Sequence, residues 1–180
     1  MNYLLSINPH GFKEFDIKSR KDEDIYLFRW TGESRINNWN NLNLAILEDE
    51  SSKENNAFAD ITSFKGGSFA LSEKAKTLLE PTIGHFVEFL PANLDGELWY
   101  ILNVINVLDI VDKEKSRHKI YKSGKVGFIT HAFLNEPSKS KSNIFIVKDF
   151  HPYIFINEET KNIIEKNQLT GALIREYLNP

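Results

Sequence analysis

Along most of the chain, apolar residues fall in short β-rich blocks separated by polar or charged stretches, a pattern that predicts strands joined by turns. Tyr3–Ile7 reads as an opening strand, Asn8–Gly11 as a turn, and Ile25–Thr31 as a strong strand stopped by Gly32. The Asn-rich Gly32–Asn43 leads into the apolar Leu42–Leu47, predicted as a strand. The charged Glu48–Asn56 follows as an exposed loop, and Phe58–Phe64 returns to the core. Further on, Phe86–Leu90 reads as a strand bounded by Pro91. It pairs antiparallel with Leu98–Leu108 across the turn dipeptide Asp95-Gly96, through a loop longer than two residues. Lys113–Lys119 reads as a charged, exposed stretch, and Pro137–Ser142 as a solvated loop between strands at Gly124–Leu134 and Asn143–Lys148. Pro152–Ile156 and Leu173–Leu178 supply the closing strands.

Two segments break the strand pattern with helical spacing. Ser72 can cap a free backbone N–H and Glu73 complements the positive helix end, while Ala75, Leu78 and Leu79 share one face and Pro81 marks the stop. Asn157 caps a second helix, with Glu158 and Glu159 in its first turn, Ile163 and Ile164 inward, and an end near Asn167 before Gly171. Gly66-Gly67-Ser68 reads as a flexible connection into the first helix. Helices rarely separate the strands as parallel crossovers would require, so the expected class is α+β: a largely antiparallel β-sheet with two main helices in one domain, residues 1–180.

Composition narrows the functional classes. Thirteen Phe, six Tyr and three Trp give an aromatic core suited to strands. The absence of Cys removes disulfides, thiolate metal sites and cysteine nucleophiles, in keeping with a reducing compartment. A net charge of −3 argues against non-specific nucleic-acid binding and suits a basic protein partner. The start, Met1–Ile7, has no cationic or long apolar region of a signal peptide, and Leu98–Val111 is interrupted by Asn103 and Asn106 and too short to span a bilayer. The expectation is a soluble cytoplasmic protein that binds no membrane.

Candidate chemistry is sparse. His10, His85, His118, His131 and His151 lack the spacing that sets two ligands on one helix face, so no metal and no cofactor is expected. Gly66–Ala70 lacks the second flanking Gly of a nucleophile elbow, and Gly124–Gly127 lacks the Gly-Lys-Ser/Thr ending of a phosphate loop. No catalytic residue is assigned. Asp109 and Asp112 are the carboxylate pair to weigh, and with Ser116 and Phe145 they define a candidate pocket for an enzyme or small-ligand binder. The structural reading of the same residues makes Asp109 an Asx-turn acceptor, with Ser116 in a similar role. For a protein partner, the candidates are the acidic clusters Glu48-Asp49-Glu50 and Asp95/Glu97, together with Trp39, an isolated large aromatic in Asn-Asn-Trp-Asn-Asn.

An ordered set of short motifs supplies direction. Leu71-Ser72-Glu73-Lys74-Ala75, Phe89-Leu90-Pro91, Tyr100–Val104, Asp109…Asp112…Ser116, Ile144-Phe145 and Leu169-Thr170-Gly171-Ala172-Leu173 together resemble immunity family eleven of the bacterial polymorphic-toxin systems. The resemblance covers about Gly67–Tyr177, making 67–177 a family-like core and 1–66 a variable N-terminal part. One departure is Ile146, which stands where the pattern has Arg. The resemblance implies a non-enzymatic immunity protein that occludes a cognate toxin encoded beside it. An oligomeric interaction scaffold is the remaining alternative.

Overall fold

The computed structural model describes residues 1–8, 11–19, 30–47, 57–64, 67–135, 142–150 and 153–180. The expected strand Ile25–Thr31 lies mostly outside them, as do the loops 48–56 and 137–141 and His10 and His151.

Strands dominate the described residues, arranged as a barrel, a sheet and a ribbon. Six close into a barrel in the order β2 (Phe15–Ile17), β3 (Leu42–Ile46), β6 (Val87–Leu94), β7 (Glu97–Val104), β5 (Ser68–Leu71) and β4 (Ile61–Phe64). A five-stranded sheet runs β13 (Ala172–Glu176), β1 (Tyr3–Ile7), β12 (Ile154–Ile156), β11 (Ile144–Val147) and β8 (Val107–Leu108). The remaining pair, β9 (Val111–Ile120) and β10 (Val126–Leu134), forms a two-stranded ribbon. Two helices, α1 (Glu73–Ile83) and α2 (Glu158–Lys166), complete an α+β architecture. Its sheets are mixed rather than largely antiparallel, because β2 with β4, β3 with β6, and β8 with β11 pair in parallel. Barrel closure and the return of β8 to the sheet join strands distant in sequence, where short-turn logic has no purchase.

The core has three compartments. Phe15, Leu42, Leu44, Phe64, Leu90, Trp99 and Ile101 fill the barrel, with Phe15 edge-on to Trp99 at 4.6 Å. Between barrel, sheet and helices lie Ile61, Leu71, Leu79, Ile83, Leu102, Ile144, Ile156 and Ile164. On the far face of the sheet, Phe145 stacks on Phe155 at 5.3 Å, beside Ala132 and Leu134 from the ribbon base. Successive residues of β11 thus face different compartments, so all four are buried and no polar alternation marks the strand.

Several local expectations are corrected. The part of Gly66–Ala70 that the structure describes is no flexible connector: Ser68–Leu71 is a strand buried throughout, with Ala70 inside the barrel and Phe69 and Leu71 outside it. Pro81 does not end α1, which runs to Ile83 and closes with Gly84 N–H on the Glu80 carbonyl at 2.9 Å. The proline removes one rung in the last turn, and burial of Ile83 holds the remainder. Pro91 likewise sits inside β6. Asp95 and Gly96 form a tight two-residue turn, both with positive φ (50° and 100°), so Leu94 faces Glu97 directly. Counting back along the ladder places Pro91 opposite Tyr100 at a position that makes no hydrogen bond to β7, so no missing N–H is felt there.

Leu98–Leu108 is not one strand. After Val104 the chain turns at Asn106, whose side-chain amide donates to the Ile144 carbonyl at 2.9 Å and whose own carbonyl accepts from Ile146 N–H at 3.0 Å. That carries the chain from barrel to sheet. The charged Lys113–Lys119 is exposed for the most part, yet it belongs to a ten-residue strand. A ribbon wet on both faces near its tip lacks the hydrophobic alternation by which strands are recognised.

Candidate functional site

The irregular pairing of β9 with β10 governs the residues weighed for chemistry. Arg117 faces His131 and Asp112 faces Phe133, so β9 accommodates extra residues as a bulge over 113–115. Asp112 holds it: its Oδ1 accepts from the backbone N–H groups of Glu114 and Lys115, both at 3.1 Å, and Oδ2 pairs with Lys115 Nζ at 3.0 Å. The Lys115 bonds and charge, with the Glu114 amide, hold this carboxyl below its ordinary pKa. Ser116 spans the gap, donating to the Asp112 carbonyl at 2.5 Å and accepting from Phe133 N–H at 2.8 Å. The turn-forming aspartate is therefore Asp112 rather than Asp109. Asp109 pairs with Lys148 Nζ at 3.0 Å on the surface, and Phe145 lies in the core against Phe155. Each carboxylate has its own lysine, and the phenylalanine faces neither water nor either aspartate's ion pair.

The partner candidates are distributed differently. Trp39 is half-buried, its indole N–H donating to the Pro91 carbonyl at 2.8 Å and its ring 6.4 Å from Trp30. It packs against the barrel core beside Pro91 of β6. Asp95 and Glu97 are exposed at the β6–β7 turn, with Asp95 3.3 Å from Lys18 Nζ. Glu48, Asp49 and Glu50 lie outside the described residues.

Two other carboxylates do more organising work than any of these. Asp60 accepts from Thr170 N–H at 3.0 Å, Thr170 Oγ1 at 3.1 Å, Ser72 Oγ at 3.1 Å and Lys74 Nζ at 3.1 Å. Partial burial pushes its carboxyl upward, but the bonds from Thr170, Lys74 and Ser72 outweigh this and hold it below the ordinary value. Glu88 receives the Ser34 hydroxyl, Arg35 N–H at 2.8 Å and Asn103 Nδ2 at 2.8 Å, so it clamps the loop before Trp39 onto β6. Its carboxyl is also depressed, burial being opposed by Ser34, the backbone of Arg35 and Ile36, and Asn103. Nothing in the sequence marks either residue, because their partners come from segments remote along the chain.

His118 Nδ1 lies 3.0 Å from the Ser116 carbonyl and His131 Nε2 lies 2.9 Å from the Leu178 carbonyl, both fastening backbone. Among the described residues, no three His, Cys, Asp or Glu side chains assemble as a metal cage. A small apolar cavity between barrel and sheet, lined by Trp30, Ser68, Leu102, Val104, Ile146 and Ile154, is no larger than about one water molecule. None of the residues weighed for chemistry lines it.

The ribbon end also escapes sequence reasoning. Ile120 faces Val126 across the strands, and Phe128 follows two residues later; they are 59%, 59% and 65% exposed. Such alternation reads in sequence as a core-facing strand, but no layer of the described residues covers it.

No helix of the described residues is long and apolar enough to cross a membrane. No curated protein matches the chain. A family model, however, matches residues 12–177, beginning well before Gly67, where the recognisable motifs start. The match takes in the barrel, the ribbon, both helices and every strand of the sheet but β1, and by it the chain belongs to the Immunity protein family (Imm11).

Proposed function

We propose that this protein is the cytoplasmic antidote to a polymorphic toxin encoded beside it, and that it neutralises the toxin by stoichiometric occlusion rather than by catalysis. The family match over residues 12–177 carries this reading. The state of the polar groups supports it: Asp112 and Ser116 stabilise a bulge, Asp109 pairs with Lys148, and Asp60 and Glu88 fasten loops. Carboxylates engaged in this way stiffen a scaffold, which suits a protein that acts by presenting a surface.

Co-expression with the neighbouring toxin gene tests the proposal. The expected result is restored growth together with a one-to-one complex in light scattering. Rescue at strongly sub-stoichiometric levels, with toxin chemically altered and no complex, would sink occlusion and point to an enzyme. Absence of both rescue and binding would remove that toxin as the partner.

A further inference from the structure

Granting the immunity reading, we propose that the free end of the β9–β10 ribbon is the toxin-docking element, and that it seats on an acidic face of the toxin with an apolar recess at its centre. Ile120 and Val126 face each other across the strands and Phe128 lies two residues further along β10, so three large apolar side chains are exposed near the free end of the ribbon. Large side chains exposed together at the end of a projecting element are characteristic of interaction surfaces. Tyr121 lies over Gly127, so closely that a Cβ there would stand 2.6 Å from its ring.

Charge defines the partner. From Asp112 to Lys125 the chain has six cations and two carboxylates, against a net charge of −3 for the whole sequence. Lys113 and Lys115 pair with Asp149 and Asp112 near the base. Arg117, Lys119, Lys122 and Lys125, nearer the tip, are exposed and make no ion pair among the described residues. An apolar centre within a cationic rim attracts an acidic protein face and suppresses other encounters. A second copy would bring the same cations together in a symmetric tip-to-tip contact, which repels. Nucleic acid could stack on Phe128 and Tyr121 but would gain little from Ile120 and Val126, whereas a protein face uses all of them.

The ribbon is held ready for this role. Ser116 joins its strands, Asn179 exchanges two hydrogen bonds with Leu134 at 2.8 and 3.0 Å, and Tyr177 Oη donates to the Ala132 carbonyl at 2.6 Å. Ala132 and Leu134 are buried against the sheet, so the base is fixed while the tip remains open. Little ordering is left to oppose binding.

The test compares the wild-type protein with Phe128→Asp and with the triple variant Lys119→Glu/Lys122→Glu/Lys125→Glu, using the full-length toxin product of the adjacent gene. Asn162→Lys on the exposed face of α2 serves as a surface control, and melting curves check folding. Phe128→Asp should weaken binding at least about tenfold, and charge reversal should slow association most at low salt. Growth rescue should fall in parallel, with the control unchanged. Wild-type binding that both ribbon variants retain in full overturns the docking site and leaves the immunity reading standing. Wild type that neither binds nor rescues overturns the immunity reading for that toxin. Loss of self-association, of anionic-phospholipid vesicle binding or of single-stranded DNA binding in the ribbon variants, with toxin affinity intact, reassigns the tip and also overturns the proposal.

Discussion

Replacing Asp60 by Asn removes a charge from the junction between β4, the start of α1 and the turn before β13. The carboxylate receives the amide and hydroxyl of Thr170, the Ser72 hydroxyl and the Lys74 ammonium, with 14% of its side chain exposed. Asparagine keeps one acceptor oxygen but presents an NH₂ where the second oxygen accepted bonds, so at least one donor loses its acceptor. Hydrogen bonds to charged groups contribute about 1.5–3 kcal/mol. The Lys74 pair adds little, since its ammonium side chain is 54% exposed. The expected loss is therefore about 2 kcal/mol, or about 4–8 °C in Tm for a chain of this size. The pH dependence supplies a second check. Asp60 is depressed in the fold, so its charge stabilises the protein above the unfolded pKa, and this contribution disappears as pH falls through the folded value. Urea denaturation of both proteins should show the full gap at about pH 7 and a shrinking gap below about pH 4, where the wild-type carboxyl protonates. A gap under about 0.5 kcal/mol at neutral pH, or one that stays constant into acid, would refute the reasoning.

Three further substitutions probe the same framework. Gly171→Ala should cost more than about 2 kcal/mol in urea unfolding, because φ is +86° and the new Cβ would lie 2.1 Å from the Ile61 carbonyl oxygen; a neutral result would refute the close approach. Ser116→Ala should cost about 1–2 kcal/mol and speed hydrogen exchange at the Phe133 amide, which loses its acceptor; unchanged protection there would contradict the bulge bridge. Glu88→Gln should destabilise by about 1–2 kcal/mol at neutral pH, read by urea titration. Because the fold depresses Glu88, that difference should shrink in acid as the wild-type group protonates, and a difference that grows there would contradict its role.

The parts of the fold legible in sequence were those decided locally. Ser72 and Asn157 cap their helices as read, accepting from Ala75 N–H at 3.1 Å and Thr160 N–H at 3.0 Å. Tyr3–Ile7, Leu42–Ile46 and Ile144–Val147 are strands where β-formers cluster. What could not be read was which strand meets which. Barrel closure depends on β2 reaching β4 and β3 reaching β6, pairings whose sequence separation leaves no local trace. Asp112 and Ser116 were visible as a constellation, but only the register of β9 against β10 reveals the bulge that they maintain. The apolar alternation of Val126 and Phe128 was equally visible, and only the absence of a covering layer among the described residues turns it outward.

The residues that carry the family resemblance acquire a physical meaning from the structure, and it changes how the first third of the chain is regarded. Ser72 and Thr170 both bond Asp60, Gly171 presses on Ile61, and Asn103 donates to the Glu33 carbonyl at 2.9 Å. The motifs are thus sockets, and what they receive comes from residues before Gly67. The strands agree, since β1 lies between β12 and β13 while β2, β3 and β4 complete the barrel. Removing the described residues of that part would open the barrel and split the sheet. The ribbon differs on this count: its base is fixed to the sheet and the C-terminal residues, but Ile120, Val126 and Phe128 at its free end pack into none of the core compartments. Side chains there can change with little cost to folding, as the docking role proposed for the ribbon tip requires.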